Sequence, residues 1–208
     1  YQTLKIFKKI NNRLKIKSFS SGSRVFDWKI PHEWNIRDGW VLDLKTKKKV
    51  IDFKKNMLSI AGYSQPVDKL VNLQELKSKI FSLKSQTNAT PYVSFFYTKN
   101  WAFCMPFKDK KRLNGKKFRV KIDSMFTKGK MYYGEILIKG KLKKEILLSS
   151  YICHPFMANN ELSGPCVLIY LSKWLAKQKR KYSYRIIFTS ETIGAISYIH
   201  KNFKKLKK

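Results

Sequence analysis

Acidic residues are scarce in this sequence. Thirteen Asp and Glu stand against 45 Lys and Arg, for a net charge of +32. An excess of that size points to nucleic acid or an anionic surface as partner, or else to a lysine bias carried on solvated faces. The distribution favours the bias. The lysines are scattered along the whole chain in short groups such as Lys47-Lys48-Lys49 and Lys116-Lys117, and no helix-turn-helix, zinc-finger or RNA-recognition pattern accompanies them. Salt-sensitive, unspecific binding to polyanions is expected, but no specific nucleic-acid partner.

Other absences narrow the field further. No uninterrupted apolar run approaches the roughly 20 residues of a membrane helix, so no membrane span is expected. The first residues, YQTLKIFKKINNRLKIK, hold no apolar signal-peptide core. The initiator Met is missing, and the sequence reads as a fragment. Its three cysteines, Cys104, Cys153 and Cys166, form no CxxC pair. An odd, unpaired count argues against a disulfide framework and for a reducing, cytoplasmic location. Each cysteine sits in an apolar context and reads as a small core residue. GxSxG, Walker and GxGxxG motifs are all absent.

What is present gathers between Glu145 and Gly194. The apolar run EILLSSYIC leads into Cys153-His154-Pro155. FMANNELSG follows over 156–164, then the amphipathic stretch PCVLIYLSKWLAKQKRK, then a second apolar run, YSYRIIFTS, before Glu191. The order reads as strand, loop, helix, strand. Two strands joined through a helix lie parallel with a right-handed crossover, so their C-terminal ends share one edge of a sheet. His154 and Glu191, each just past a strand end, are expected on that edge. The loop bearing Asn159, Asn160 and Glu161 starts there too. Open α/β sheets bind ligands in the crevice outside the carboxyl ends of their strands. One imidazole, one or two carboxylates and two amides suit a divalent metal; a structural histidine beside Pro155 is the simpler alternative. In the helix, Val167, Leu171, Trp174 and Leu175 form the expected sheet-covering stripe. Cys153 and His154 are neighbours, and neighbours on a strand face opposite ways, so a Cys–His nucleophile pair is not expected.

Upstream, a basic, weakly helical start gives way to an alternating strand over Leu14–Phe19 and a turn cluster, Ser20-Ser21-Gly22-Ser23. From Arg24 to about Phe118 short β-type runs follow one another, including Met57–Tyr63, with a short helix over Val71–Leu83. Aromatics crowd this part, among them Trp34, Phe95, Phe96, Tyr97 and Trp101. They form either a stacking platform for sugars or bases or, more simply, the core of a small β domain. Lys116–Met125 and Tyr132–Ile138 alternate again and lead back to the main sheet. His32 and His200 read as solvated or structural. The expected organisation is an α/β core from residues 1–23 and 119–208, with a small β-rich domain inserted over 24–118.

Taken together, YICHPFMANNELSGP and YSYRIIFTSETIGAISYI, with SGSRVFDWKIPHEWNIRD, VIDFKKN, GYSQPVDK, PYVSFFYTKNWAFCM and YGEILIKG upstream, resemble the aminopeptidase-like family found with bacterial cell-surface polysaccharide biosynthesis genes. Its wider clan is the zinc aminopeptidases. The resemblance runs over nearly the whole chain. It implies an α/β fold with a mixed, mainly parallel sheet flanked by helices, a small β-rich lobe inserted early, and truncation to the N-terminal half of a longer member. Zinc, as one or two ions, is the implied cofactor. In that clan a His after one strand binds metal, an Asp in a loop of type N-D-x-x-S-G bridges two metals, and a Glu pair after the next strand supplies the general base and a further ligand. By that pattern His154, Asn160 and Glu191 are the implied metal ligands, and Glu191 and Glu161 the implied catalytic carboxylates. Asn160 stands where the bridging Asp would be. An Asn offers one neutral oxygen and rarely bridges, which favours one metal or a weakened pair. The Glu pair is reduced to Ser190-Glu191, so Glu191 serves either as base or as ligand.

Three functions are compatible with these residues. The first is a zinc-dependent hydrolase of amide or peptide bonds, linked to surface polysaccharide biosynthesis and acting on a small peptide- or amide-containing substrate. The second is a non-catalytic binding or scaffold relative, with Asn160 as the sign of lost chemistry. The third is a basic polyanion or nucleic-acid binder. Assembly into a homo-oligomer is left open.

Overall fold

Apolar alternation, helix-compatible runs and turn residues give the chain two units in the computed structural model, which describes residues 1–154 and 157–207. The units are Tyr1–Glu33 with Lys128–Lys208, and Trp34–Thr127. The first contains α1 (Gln2–Ile10), β1 (Lys15–Ser20), β2 (Lys130–Ile138), β3 (Glu145–Tyr151), α2 (Ala158–Lys177), β4 (Ser183–Thr189) and α3 (Ile193–Leu206). Its four main strands form one sheet in the order β1-β2-β4-β3. β2 pairs antiparallel with both β1 and β4, while β3 and β4 run parallel from Glu145↔Ser183 to Tyr151↔Thr189. The sheet is mixed, as expected. The expectation that it be mainly parallel is corrected: one of its three pairings is parallel. Parallel neighbours need a long crossover, and among these strands only β3–α2–β4 supplies a helical one between sheet neighbours.

β4 is the central strand and is buried on both faces, with alternate residues facing opposite ways. Ile186 and Phe188 join Leu4 and Phe7 of α1 and Ile169 and Leu175 of α2 in one apolar cluster. Ile187 packs with Tyr133 and Tyr198 of α3 in another. Arg185, also buried, holds a charge network. It bonds Glu145 (2.5 and 2.9 Å) and Glu135 (2.9 Å), and Glu135 also receives Lys17 (2.8 Å) and the Tyr198 hydroxyl (3.0 Å). Hydrogen bonds from Arg185 hold the Glu145 carboxyl down to about 2 against the opposing effect of burial, with Lys205 helping.

Two readings of α2 are corrected. It begins at Ala158, so Asn159, Asn160 and Glu161 lie in its first turn rather than in a loop, and Pro165 sits inside the helix. Its buried side is Glu161, Pro165, Ile169, Ser172 and Leu175, whereas Val167 and Trp174 are 64% and 58% exposed. The helix is apolar nearly all round, so spacing alone did not single out one stripe. Gly164 permits its close approach to β3: a Cβ there would lie 2.6 Å from Ser150 Oγ.

The second unit holds a four-stranded sheet in the order Lys49–Asp52, Glu33–Asp43, Lys117–Thr127, Val67–Asn72. Val41, Ile51, Phe103, Phe118 and Val120 lie in its core. The unit boundaries fall after Glu33 and Thr127 rather than after residues 23 and 118. The short Arg24–Val25 and Trp28–Lys29 hairpin belongs to the first unit. Lys117–Thr127, expected to lead back to the main sheet, spends its inward face (Phe118, Val120, Ile122) on the core of the second unit. The expected strand over Met57–Tyr63 is instead a 3-10 turn, Met57–Ser59, followed by a single bridge at Ile60. The helix expected over Val71–Leu83 is confined to Leu73–Ser78.

Candidate metal site

Parallel pairing of β3 with β4 brings the chain past both strands to the same edge. The Ile152 N–H still donates to the Thr189 carbonyl (2.8 Å), one residue beyond the last strand pair. His154 and Glu191 follow, and α2 returns Glu161 to the same place through its first turn. The His154 ring therefore lies between two carboxylates. Its Nδ1 is 2.7 Å from Glu161 Oε1, and its Nε2 is 3.3 Å from Glu191 Oε2. The His154 and Glu161 side chains are 18% and 9% exposed, while that of Glu191 is 50% exposed. The other oxygen of Glu161 accepts the Cys153 N–H. Negative charge in the first helical turn is favoured by the helix dipole.

Cys153 belongs to this group as well. Its Sγ, one His154 nitrogen and a Glu161 oxygen all lie within 4.8 Å of one another. The Sγ accepts the Glu191 N–H at 3.3 Å and stands 3.8 Å from His154 Nδ1. Cys153 and His154, expected to face opposite ways, therefore lie together: β3 ends at Tyr151, so strand alternation no longer applies two residues later. The pair is still no nucleophile, because desolvation raises the thiol to about 11 and keeps it protonated near neutral pH. Cys153 and Cys166 are exposed and only Cys104 is buried, which corrects the reading of all three as core residues.

The sequence-expected residues separate into those the fold gathers and one it does not. His154, Glu161 and Glu191 converge. Asn160 is exposed on the first turn of α2. Pro155 and Phe156 lie outside the described residues. His32 is exposed, and His200 is exposed with its ring edge-on to Phe26 at 4.8 Å. Thr192, next to Glu191, carries φ 51 and ψ −74 as the N-cap of α3. A positive φ on a β-branched residue is an outlier, of the kind that collects at functional sites. Nothing in the local sequence signals it. Beside it, Gly194 leaves room for Thr189, whose Oγ1 would lie 2.3 Å from an added Cβ.

The whole chain, residues 1–208, matches the model of a family described as "Domain of unknown function (DUF4910)". The chain belongs to this family. A Clostridium acetobutylicum relative, whose name pairs polysaccharide biosynthesis with an aminopeptidase-like domain, is 43% identical over 194 residues, covering 93% of this chain and 44% of the relative. A crystal structure of a candidate peptidase from the same organism superposes with a TM-score of 0.90 at 42% identity, covering 99% of this chain and 48% of that one. A zinc aminopeptidase from Bacillus subtilis gives a TM-score of 0.64 at 14% identity, over 96% of this chain and 57% of that chain. That last likeness shows the fold alone: the family shares an aminopeptidase-like α/β architecture. The chain spans about half the length of these relatives. Among the described residues, no helix is long and apolar enough to cross a membrane.

Proposed function

We propose that this chain carries the His and Glu side of a zinc-dependent, aminopeptidase-like hydrolase, acting on an amide or peptide bond of a precursor in surface polysaccharide biosynthesis. One observation carries the reading: an imidazole held between two carboxylates at the shared carboxyl edge of two parallel strands. The donor set fits zinc, which takes imidazole nitrogen and carboxylate oxygen together. The 3.3 Å gap from His154 Nε2 to Glu191 Oε2 matches the roughly 3.4 Å that separates two ligands of one tetrahedral ion with bonds of about 2.0–2.1 Å. His154 and Glu191 are the ligand pair on the open side. Glu161, expected as a catalytic carboxylate, is buried and engaged by His154 and Cys153, so it holds the ring rather than facing substrate. This is the carboxylate–histidine arrangement that fixes tautomer and ring orientation at zinc sites.

Zinc supplies a water of lowered pKa and polarises a carbonyl. The protein's own part is to fix the ring through Glu161 and to keep a half-exposed carboxylate, Glu191, at the open edge. Names of the relatives support the substrate class, and Asn160 supports a single ion over a bridged pair. Metal analysis tests the reading. The full-length protein should hold one zinc per molecule after equilibration and gel filtration, and His154→Ala should reduce it to background. Zinc at background in the unmodified full-length protein refutes it and favours the second reading, a non-catalytic relative, for which the exposed neutral Asn160 is the specific observation.

A further inference from the structure

In the second unit the aromatic residues divide into two populations. Phe103 and Phe118 lie in the core, and Trp34 and Trp101 pack against it. Phe95 packs on the smaller cluster of Ala61, Ala102 and Cys104. Tyr63, Phe96 and Tyr97 belong to neither cluster; Phe96 is 36% and Tyr97 69% exposed. They extend outward from Trp34 as a continuous run of rings. Trp34 stacks on Tyr63 at 6.0 Å and 16°, Tyr63 meets Phe96 at 4.3 Å and 42°, and Phe96 meets Tyr97 at 6.4 Å. Phe126 flanks Tyr63 at 6.2 Å.

The backbone beneath these rings is braced. Gly62 pairs with the neighbouring segment through its N–H to the Val93 carbonyl (2.8 Å) and its carbonyl from the Phe95 N–H (2.9 Å). Ser64 is fully buried. Its hydroxyl donates to the Ala61 carbonyl (2.6 Å) and accepts the Ala102 N–H (3.2 Å). Its carbonyl accepts both the Trp34 indole N–H (2.9 Å) and the Ser124 hydroxyl (2.8 Å). Between these fixed points Tyr63 is held at φ 61, a conformation that a tyrosine adopts only when its surroundings impose it. A rigid backbone that keeps large rings in water has no stability to gain from their exposure. Such rings are pre-organised contact area, ordered before any ligand arrives.

We propose that Tyr63, Phe96 and Tyr97 form a stacking platform for an acidic oligosaccharide. The choice of a saccharide rests on the polysaccharide reading above. An acidic one is chosen as the complement of the unit's charge: residues 34–127 carry 20 Lys and Arg against 7 Asp and Glu, net +13. That charge alone gives only unspecific polyanion binding, so the ring-dependent part of the binding is what counts. The test uses the 208-residue chain, with hexagalacturonate and a thymidine hexanucleotide as probes in parallel calorimetric titrations at fixed salt. Phe96→Ala with Tyr97→Ala removes two exposed rings and leaves the core untouched, and circular dichroism checks the fold. Hexagalacturonate should bind the unmodified chain, the double variant should bind it about tenfold or more weakly, and the oligonucleotide should show no dependence on the two rings. Three results overturn the proposal: no hexagalacturonate binding, equal binding by the folded double variant, or a ring-dependent preference for the oligonucleotide. Because none of these readouts involves zinc or His154, they are separate from the failure of the hydrolase reading itself.

Discussion

Replacing Glu161 by Gln isolates what the buried carboxylate does. The change keeps length and shape and keeps an oxygen for the Cys153 N–H. It removes the anionic oxygen 2.7 Å from His154 Nδ1. If Glu161 is a positioning residue, the ring loses its fixed tautomer and part of its basicity, while the ligand nitrogen remains. Loss of such an outer partner lowers metal affinity by about 10–100-fold, or roughly 1.4–2.7 kcal/mol. The assay is competition for zinc against a chromophoric chelator at one pH, comparing the unmodified full-length protein with its Glu161→Gln and Glu161→Asp variants. Glu161→Asp keeps the charge and shortens the reach, so it should fall between the two. An unchanged affinity refutes the positioning role. Complete loss of binding refutes it from the other side, since Glu161 would then be a ligand in its own right.

Arg185→Met should destabilise the first unit by about 3 kcal/mol, at the low end for a broken buried ion pair, because Glu135 keeps Lys17 and Tyr198; denaturant unfolding reads this directly. The same network sets an acid limit. Glu145 is depressed from 4.5 to about 2, so its contribution is fully present above about pH 4.5 and disappears as pH falls toward 2. That contribution is roughly 1–2 kcal/mol after allowance for solvent screening. Arg185→Met should flatten the stability–pH curve across that window, and an unchanged slope refutes the assignment. Thr192→Gly removes a strained β-branched residue at φ 51. Relief of about 1–3 kcal/mol, less about 0.5–1 kcal/mol of glycine entropy, should raise stability while loosening Glu191 and weakening zinc binding. A loss of stability on thermal unfolding would contradict the strain.

The β3–α2–β4 unit was legible because its information is local. Two apolar runs and one helical stretch admit one handed arrangement, and that arrangement alone puts His154 and Glu191 on a common edge. Where α2 begins was not legible. Proline after Gly164 reads as the first residue of a helix, yet Pro165 lies inside α2. There it forfeits its bond to the Glu161 carbonyl and crowds it, while the contacts of the Glu161 side chain with His154 and Cys153 hold the preceding turn. The orientation of α2 was equally hidden, because apolar residues occupy most of its circumference. The inserted unit was visible as a change of texture, but its boundaries were not. Lys117–Thr127 alternates in the same way whichever core receives its inward face.

The way the chain leaves and re-enters the first unit has a kinetic consequence. β1 and β2 are hydrogen-bonded neighbours from Lys15↔Glu135 to Ser20↔Lys130, partners separated by more than 100 positions. Closing an open loop of that length is slow and entropically costly. Residues 34–127, however, start and finish on adjacent strands of their own sheet. Once that sheet has formed, the long detour becomes a short bridge, and β1 meets β2 as though across a hairpin. Acquisition of structure should therefore run from the middle of the polypeptide outward, with the N-terminal segment the last to lock in place.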